Sequence, residues 1–258
     1  MKIKKYNPTS PGLRHRLINQ KNLLALDSLL IKNLSKFLKR SYGRSSQTGR
    51  ITSWHRSSGA KRKFKKVHSL SSPYSISLGV FYDPNRSCFI SLNFNFQKKT
   101  FDFSLAPYFS FSGTCTLNNN FLDELSLGSR TKLSSLPPGT VFYNLGSKQE
   151  QIGDFSRSAG TYCQMVQKTA TTAKIKLPSN KIVVLPVEFY ATLGTVSNLD
   201  HKSGILGKAG ASRLKGRRPI VRGIAMNPVD HPHGGRTNGG RPCVTPWGKP
   251  TKGKPTVR

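Results

Sequence analysis

The stretch from Gly204 to Gly235, GILGKAGASRLKGRRPIVRGIAMNPVDHPHGG, limits most strongly what this chain can fold into. Its apolar residues follow neither a helical nor a strand period, so no regular element could give it a buried face. Glycine and proline interrupt it throughout, and six Lys/Arg face a single acid, Asp230. Such a segment holds a defined shape only where a counter-charged surface surrounds it, because like charges repel and nothing apolar offsets the lost entropy. The partner is therefore expected to be a polyanion.

The rest of the charge is arranged to match. Residues 1–66 carry 18 Lys/Arg and one acid, Asp27, while residues 201–258 carry 13 Lys/Arg and Asp230 alone. Between them, residues 67–200 hold 11 basic and 8 acidic side chains, so a nearly neutral centre is flanked by two cationic arms. Nucleic acid fits as the counter-surface, since each Lys/Arg–phosphate contact releases a condensed counterion. An anionic membrane fits less well, because the arms are rich in Gly, Pro and Ser and mostly lack an apolar face.

The centre is long enough for one or two small domains but not for a large enzyme core. Cys88, Cys115, Cys163 and Cys243 are far apart and form no CxxC pair. They read as isolated thiols of a reducing compartment, not as zinc ligands or a disulfide framework. No apolar run approaches the length of a membrane span.

Asn22 to Arg40 reads as an amphipathic helix, with Leu23, Leu26, Leu30, Leu34 and Phe37 on one face and Lys32, Lys36 and Lys39 between them. A basic, acid-poor helix is also the pattern of a mitochondrial presequence. From Ser75 the period becomes two: Ile90, Leu92, Phe94 and Phe96 alternate with Ser91, Asn93 and Asn95, which predicts a strand with one buried face. Phe101, Phe103 and Leu105 repeat the pattern, and Asp83-Pro84-Asn85 is turn chemistry. Further strands are expected at Thr140–Asn144, Thr161–Gln167, Thr172–Leu177 and Lys181–Phe189, punctuated by Pro137-Pro138-Gly139 and Pro178-Ser179-Asn180. Many short strands with close turn signals suggest two small barrels in tandem.

Asp230-His231-Pro232-His233 invites a metal or general-base reading. His15, His55, His68 and His201 are scattered, however, and Pro232 stiffens the backbone, so a structural or RNA-contacting role is favoured. Gly248-Lys249-Pro250-Thr251-Lys252-Gly253-Lys254 begins like a phosphate-cradling loop, but Pro255 stands where magnesium needs Ser or Thr, and the match is accidental. Lys61-Arg62-Lys63-Phe64-Lys65-Lys66 follows a glycine-bearing segment containing Trp54 and His55, which could stack on an unpaired base. A charged run of this kind is most often a solvated face. RNA contact is favoured because the same chemistry recurs at Lys208, Arg213, Lys215, Arg217, Arg218 and Arg222, and Arg157-Ser158-Ala159-Gly160 repeats it. RNA is preferred to DNA, since the sequence offers no helix-turn-helix, finger or dimer signature.

Several blocks then become familiar in order: Pro8-Thr9-Ser10-Pro11-Gly12, Gly49-Arg50-Ile51-Thr52, Tyr82-Asp83-Pro84-Asn85-Arg86-Ser87, Leu105-Ala106-Pro107 and Arg157 to Tyr162. Ala191-Thr192-Leu193-Gly194, Leu206 to Gly210, Arg218 to Gly223, Ala225 to Gly235 and Thr245-Pro246-Trp247-Gly248 complete them. The chain resembles the universal large-subunit ribosomal protein two family, and Met226 to Gly235 carries the resemblance most specifically.

The resemblance implies a mainly β fold, an OB-fold barrel followed by an SH3-like barrel, with long basic N- and C-terminal extensions. The implied boundaries are 1–42 for the N-terminal extension with its helix, 43–122 for the OB-fold RNA-binding domain, 123–202 for the SH3-like barrel and 203–258 for the RNA-threading extension. Contacts to large-subunit ribosomal RNA are expected from Arg50, His55, Arg56, Lys61, Arg62, Lys63, Lys65 and Lys66, from Arg86 and Arg157, and from Lys208, Arg213, Lys215, Arg217, Arg218, Arg222 and Arg236. Asn227, Asp230, His231 and His233 are expected in a loop near the peptidyl-transferase region, with positioning rather than catalysis as their role.

The implied function is that of a structural constituent of the large ribosomal subunit, supporting assembly, subunit association and translation. No enzyme activity, metal or cofactor is expected, magnesium entering only with the RNA. The implied partners are ribosomal RNA, neighbouring ribosomal proteins and the small subunit, with no membrane and no free homo-oligomer. Two rivals remain: an RNA-acting hydrolase using Asp230, His231, His233 and a metal, and a general nucleic-acid coating protein.

Departures from the family pattern concentrate at the Leu23–Phe37 helix, at His55 to Lys61, at Arg236-Thr237-Asn238, and at Arg258, where the chain ends short of the usual basic tail. The Phe-, Ser- and Asn-rich centre suits an organellar member. A mitochondrial protein is expected, with plastid and bacterial origins as alternatives. Because Pro8–Gly12 resembles mature sequence and lies upstream of the helix, the helix is expected to be retained.

Overall fold

The computed structural model describes residues 3–19, 29–37, 42–69, 73–117, 126–149, 151–236 and 241–253. The chain divides into two compact units, residues 1–39 with 61–211 and residues 40–60 with 212–258.

The first unit is mainly β. Strands β1 (Ile3–Lys5) and β2 (Leu17–Asn19) pair antiparallel, and Leu17 also bridges Ile205. After helix α1 (Leu29–Leu34), β3 (Lys36–Phe37) pairs with β4 (Lys63–Phe64). Strands β5 (Tyr74–Phe81), β6 (Ile90–Asn95), β7 (Thr100–Leu105) and β8 (Cys115–Leu117) form an antiparallel sheet in the order β7-β6-β5-β8. Then come β9 (Arg130–Lys132), β10 (Val141–Gly146), β11 (Cys163–Lys168), β12 (Thr172–Lys176), β13 (Ile182–Pro186) and β14 (Tyr190–Leu193). Their sheet order is β13-β12-β11-β10-β14-β9. The mainly β class thus stands, with the four-stranded sheet preceding the six-stranded one along the chain. Among the described residues no helix is long and apolar enough to cross a membrane.

Local chemistry explains the corners. The Asp83 carboxylate accepts the Asn85 N–H at 2.9 Å and pairs with Arg86 Nε at 2.8 Å, which closes the turn after β5. Between β12 and β13, Asn180 takes a left-handed conformation (φ 66°) and Leu177 N–H donates to Lys181 O at 2.9 Å. Asn tolerates that conformation better than most residues do.

Two apolar clusters lie back to back across β10, because neighbouring residues on a strand point to opposite faces. Phe142 packs with Leu133, Leu136, Leu145, Met165 and Ile175, whereas Tyr143 packs with Phe81, Ile90, Leu92, Phe103 and Leu105. The buried Tyr143 hydroxyl donates to Leu105 O at 3.1 Å, satisfying the one polar atom that its ring brings inside.

Three expectations need correction. The helix does not continue to Arg40: it ends at Leu34, the Ser35 hydroxyl donates back to Ile31 O at 2.5 Å, and Lys36–Phe37 is strand. Ser is prone to such local bonding, which competes with helix propagation. Ile31, not Leu34, is the buried side chain of this helix, while Phe37 is exposed with the Lys63 ammonium over its ring. Leu23 and Leu26 lie outside the described residues.

The second correction concerns β6, which is buried on both faces. Ser91 and Asn93 bond to Ser104 across β7, at 2.8 Å each, so the polar side of the alternation lines the interior instead of meeting solvent. Finally, Lys181–Phe189 is not one strand. The chain turns after Pro186, and β14 crosses to lie between β10 and β9.

Candidate nucleic-acid interface

The second unit has almost no core. Among its described residues only Gly43, His231 and Gly234 are buried, and Ile220, Val221, Val229 and Trp247 stand in the open. Residues 40–60 bring four Lys/Arg and residues 212–258 bring eleven, with Asp230 as the sole acid. Backbone hydrogen bonds therefore give this unit its form.

Residues 43–53 make a tight loop. Ser45 N–H donates to Arg50 O at 2.8 Å and Thr52 N–H to Gly43 O at 2.9 Å, leaving Arg50 exposed. Gly43 sits at φ 75°, and a Cβ there would collide with the Ser53 carbonyl, so the turn demands glycine.

Residues 55–60 are then laced to 214–218. Arg218 N–H donates to His55 O at 3.0 Å, Ser57 N–H to Gly216 O at 3.0 Å and Ala60 N–H to Leu214 O at 2.9 Å, while His55 Nδ1 lies 2.9 Å from Pro219 O. This lacing sets Arg56 directly opposite Arg217. Like charges on facing residues repel one another, and an intervening phosphate turns that repulsion into attraction.

The loop from Asn227 to Gly235 is closed on itself. Asp230 and His231 N–H groups donate to Asn227 O at 3.0 and 3.2 Å, and Gly234 N–H donates to His231 O at 2.8 Å. The His231 ring lies against Gly223, where a Cβ would come within 2.6 Å of Nδ1. Nδ1 accepts the His233 N–H at 3.0 Å, which leaves the ring proton to Nε2. Arg241 reaches over from the following segment and donates through Nη1 to Pro232 O at 2.7 Å and Gly234 O at 3.1 Å. Asp230 is exposed and His231 is not.

The expected RNA-contacting residues divide between the units. Arg50, His55, Arg56, Lys215, Arg217, Arg218, Arg222 and Arg236 come together in the second unit, with Arg213 on the short helix α2 (Ala209–Leu214) that leads into them. All of these are exposed except the half-buried His55.

In the first unit, Lys61, Lys66, Arg157 and Lys208 are exposed, while Arg62 and Lys63 are half-buried. Arg62 Nη1 donates to Pro84 O at 2.8 Å. The Ala159 N–H donates to the Ser87 hydroxyl at 3.0 Å, stitching the Arg86 turn to the Arg157 turn. Lys65 departs from expectation: it is 4% exposed, and its ammonium donates to Tyr82 O at 3.2 Å. A buried cation cannot be left without partners, so its role is corrected to holding the turn after β5. Arg86 is likewise committed in part to Asp83.

Sequence reasoning missed Arg44, Arg130, Arg241 and the grouping of Trp247 with Trp54. The two indoles sit 6.2 Å apart, edge to face at 67°, and line a cleft of about 700 Å³ within the second unit. A signal was available, since both tryptophans lie in strongly basic, apolar-poor segments where an indole has no core to fill. The described residues contain no group of three or more His, Cys, Asp or Glu placed to share a metal ion.

Comparison with known proteins agrees with this picture. Residues 31–108 match the family described as Ribosomal Proteins L2, RNA binding N-terminal domain, and residues 126–248 match Ribosomal Proteins L2, C-terminal domain. The chain is similar to large ribosomal subunit protein uL2m of Reclinomonas americana, at 42% identity over 99% of this chain and 94% of the relative. It is also similar to large ribosomal subunit protein uL2 of Rhodospirillum rubrum, at 40% identity over 99% and 92%, and to that of Rickettsia felis, at 41% over 99% and 94%.

Proposed function

This chain belongs to the ribosomal protein L2 family, and we propose on that footing that it is a structural constituent of the large ribosomal subunit that binds large-subunit ribosomal RNA. The observation that carries the reading is the second unit, which joins fifteen Lys/Arg and one acid in a body with no buried aliphatic side chain among its described residues. Such a body gains stability from phosphate contact and from released counterions.

On this reading residues 43–122 act as the OB-fold RNA-binding domain, 123–202 as the SH3-like barrel, and 1–42 and 203–258 as basic extensions. Neighbouring ribosomal proteins and the small subunit are further partners. Similarity to a uL2m supports residence in a mitochondrial ribosome. Asn227, Asp230, His231 and His233 form a rigid loop suited to positioning RNA near the peptidyl-transferase region, without catalysis. A general-base role for His231 is disfavoured by geometry: the ring is buried, and its Nδ1 is taken by the His233 N–H.

Binding of the full chain to large-subunit ribosomal RNA should weaken by about 10³–10⁵ between 50 and 200 mM salt if six to ten phosphates are neutralised. A change of less than about tenfold over that range in a mobility assay would refute the polyanion reading. Cosedimentation with large subunits in a gradient of mitochondrial lysate tests the placement. Failure to comigrate there would leave a general coating protein as the better account.

A further inference from the structure

Phosphate binding leaves one feature of the second unit unexplained. Its single carboxylate, Asp230, is exposed in a cleft that Arg44, Arg56 and Arg218 also line. A carboxylate facing a polyanion backbone is repelled by it, whereas a group presenting N–H to it is attracted. The cleft also holds Trp54 and Trp247, which are 51% and 69% exposed. They are the only tryptophans of the chain. An exposed indole pair against guanidinium groups has the chemistry of a site for an unstacked nucleobase: a π-face for the ring and cations for the flanking phosphates.

We propose that this cleft binds one unstacked nucleobase of RNA, a base carrying an amino group and guanine foremost, with its ring on one indole and its polar edge toward Asp230. The inference rests on the RNA-binding function proposed above and adds a specific subsite to it. The geometry suits one base and not a sandwich. At 67° and 6.2 Å the indoles touch edge to face, so a planar base stacks on one ring while the other walls its side. A volume of about 700 Å³ lies within the range of about 300–1,000 Å³ usual for small-ligand sites. Guanine offers adjacent N1–H and N2–H donors that a carboxylate accepts in parallel, whereas uracil has no exocyclic amine.

Because the only two indoles line the cleft, intrinsic tryptophan fluorescence reports on it directly. The full chain should be titrated at low salt with single-stranded pentanucleotides of equal charge, carrying guanine, uracil or an abasic residue at the centre of an otherwise abasic strand. The guanine strand should quench the indoles saturably and bind about tenfold more tightly than the abasic strand, as expected for one stacked base. Trp247→Leu and Trp54→Leu should each abolish that advantage while leaving the abasic affinity unchanged. Asp230→Asn should reduce the preference for guanine over uracil.

Equal binding and equal quenching by all three strands, with steep salt dependence, would overturn the base site and leave RNA binding intact. An unchanged guanine preference in both Trp variants would also overturn it. Failure of every strand, together with failure of whole ribosomal RNA, would remove the underlying function as well.

Discussion

Replacing Arg130 by methionine should destabilise the first unit by about 2–4 kcal/mol. Arg130 is 2% exposed on β9, and burial pulls its guanidinium down to about 10 from the ordinary 12.5, so it stays charged at neutral pH. Its fork reaches five oxygens: Gln149 O at 2.8 Å from Nε, Asn144 O at 2.9 Å and Thr192 Oγ1 at 3.3 Å from Nη1, and Lys148 O at 2.9 Å and Gln151 O at 3.5 Å from Nη2. Methionine fills much of the volume and removes a buried charge, which offsets part of the loss. The Lys148 and Gln149 carbonyls belong to an accessible loop and can turn to water. The Asn144 carbonyl sits in a buried residue, and an unsatisfied buried acceptor costs about 1–3 kcal/mol. The remaining charged hydrogen bonds contribute the rest.

With a urea dependence of about 2 kcal/mol per molar, the unfolding midpoint should fall by about 1–2 M. Circular dichroism across a urea titration of the full chain reads it. Arg130→Lys keeps the charge but not the planar fork, and should recover less than half of the loss. A methionine variant within about 0.3 M of the parent, or a lysine variant equal to it, would refute the argument from fork geometry.

Gly223→Ala should displace the His231 ring, since the new methyl group would lie 2.6 Å from Nδ1. Ribosomal RNA affinity in a mobility assay should drop several-fold, with the β-sheet signal unchanged. A loss of sheet signal would show that the loop supports the barrels and not the interface. Burial pushes the Cys88 thiol from 9.0 up to about 11. The unfolded chain therefore releases this proton first, and between about pH 9 and 11 the thiol should lower stability by about 1.4 kcal/mol per pH unit. Urea midpoints at pH 9, 10 and 11 should show a shallower decline in Cys88→Ala, and an identical decline would exclude this thiol as a source.

Much of the β architecture could be read before any coordinate, because its signals are local. Alternation at Ile90–Asn95, the Asp83 turn and the Pro/Gly punctuation each act within a few residues, and short-range chemistry determines them. The helix ending at Leu34 was less legible: its apolar spacing runs on to Phe37, but Ser35 turns back on Ile31 and a pairing with Lys63–Phe64 takes over. Strand against helix was settled there by a partner some twenty-five residues away.

Charge alone named a polyanionic partner, since net charge and its clustering need no fold to be counted. Which cations stand outward was another matter. Lys65 looks like its neighbours in the basic run, yet it is buried under Tyr82 O, and Arg130 carries no mark in the sequence that sets it inside. The cleft with Trp54, Trp247 and Asp230 arises only when residues 55–60 are laced to 214–218, drawing together segments some 160 residues apart. Composition determines what a chain must meet, because charge adds without regard to order. Tertiary hydrogen bonding decides which side chains meet it together, because a site is a matter of distance in space.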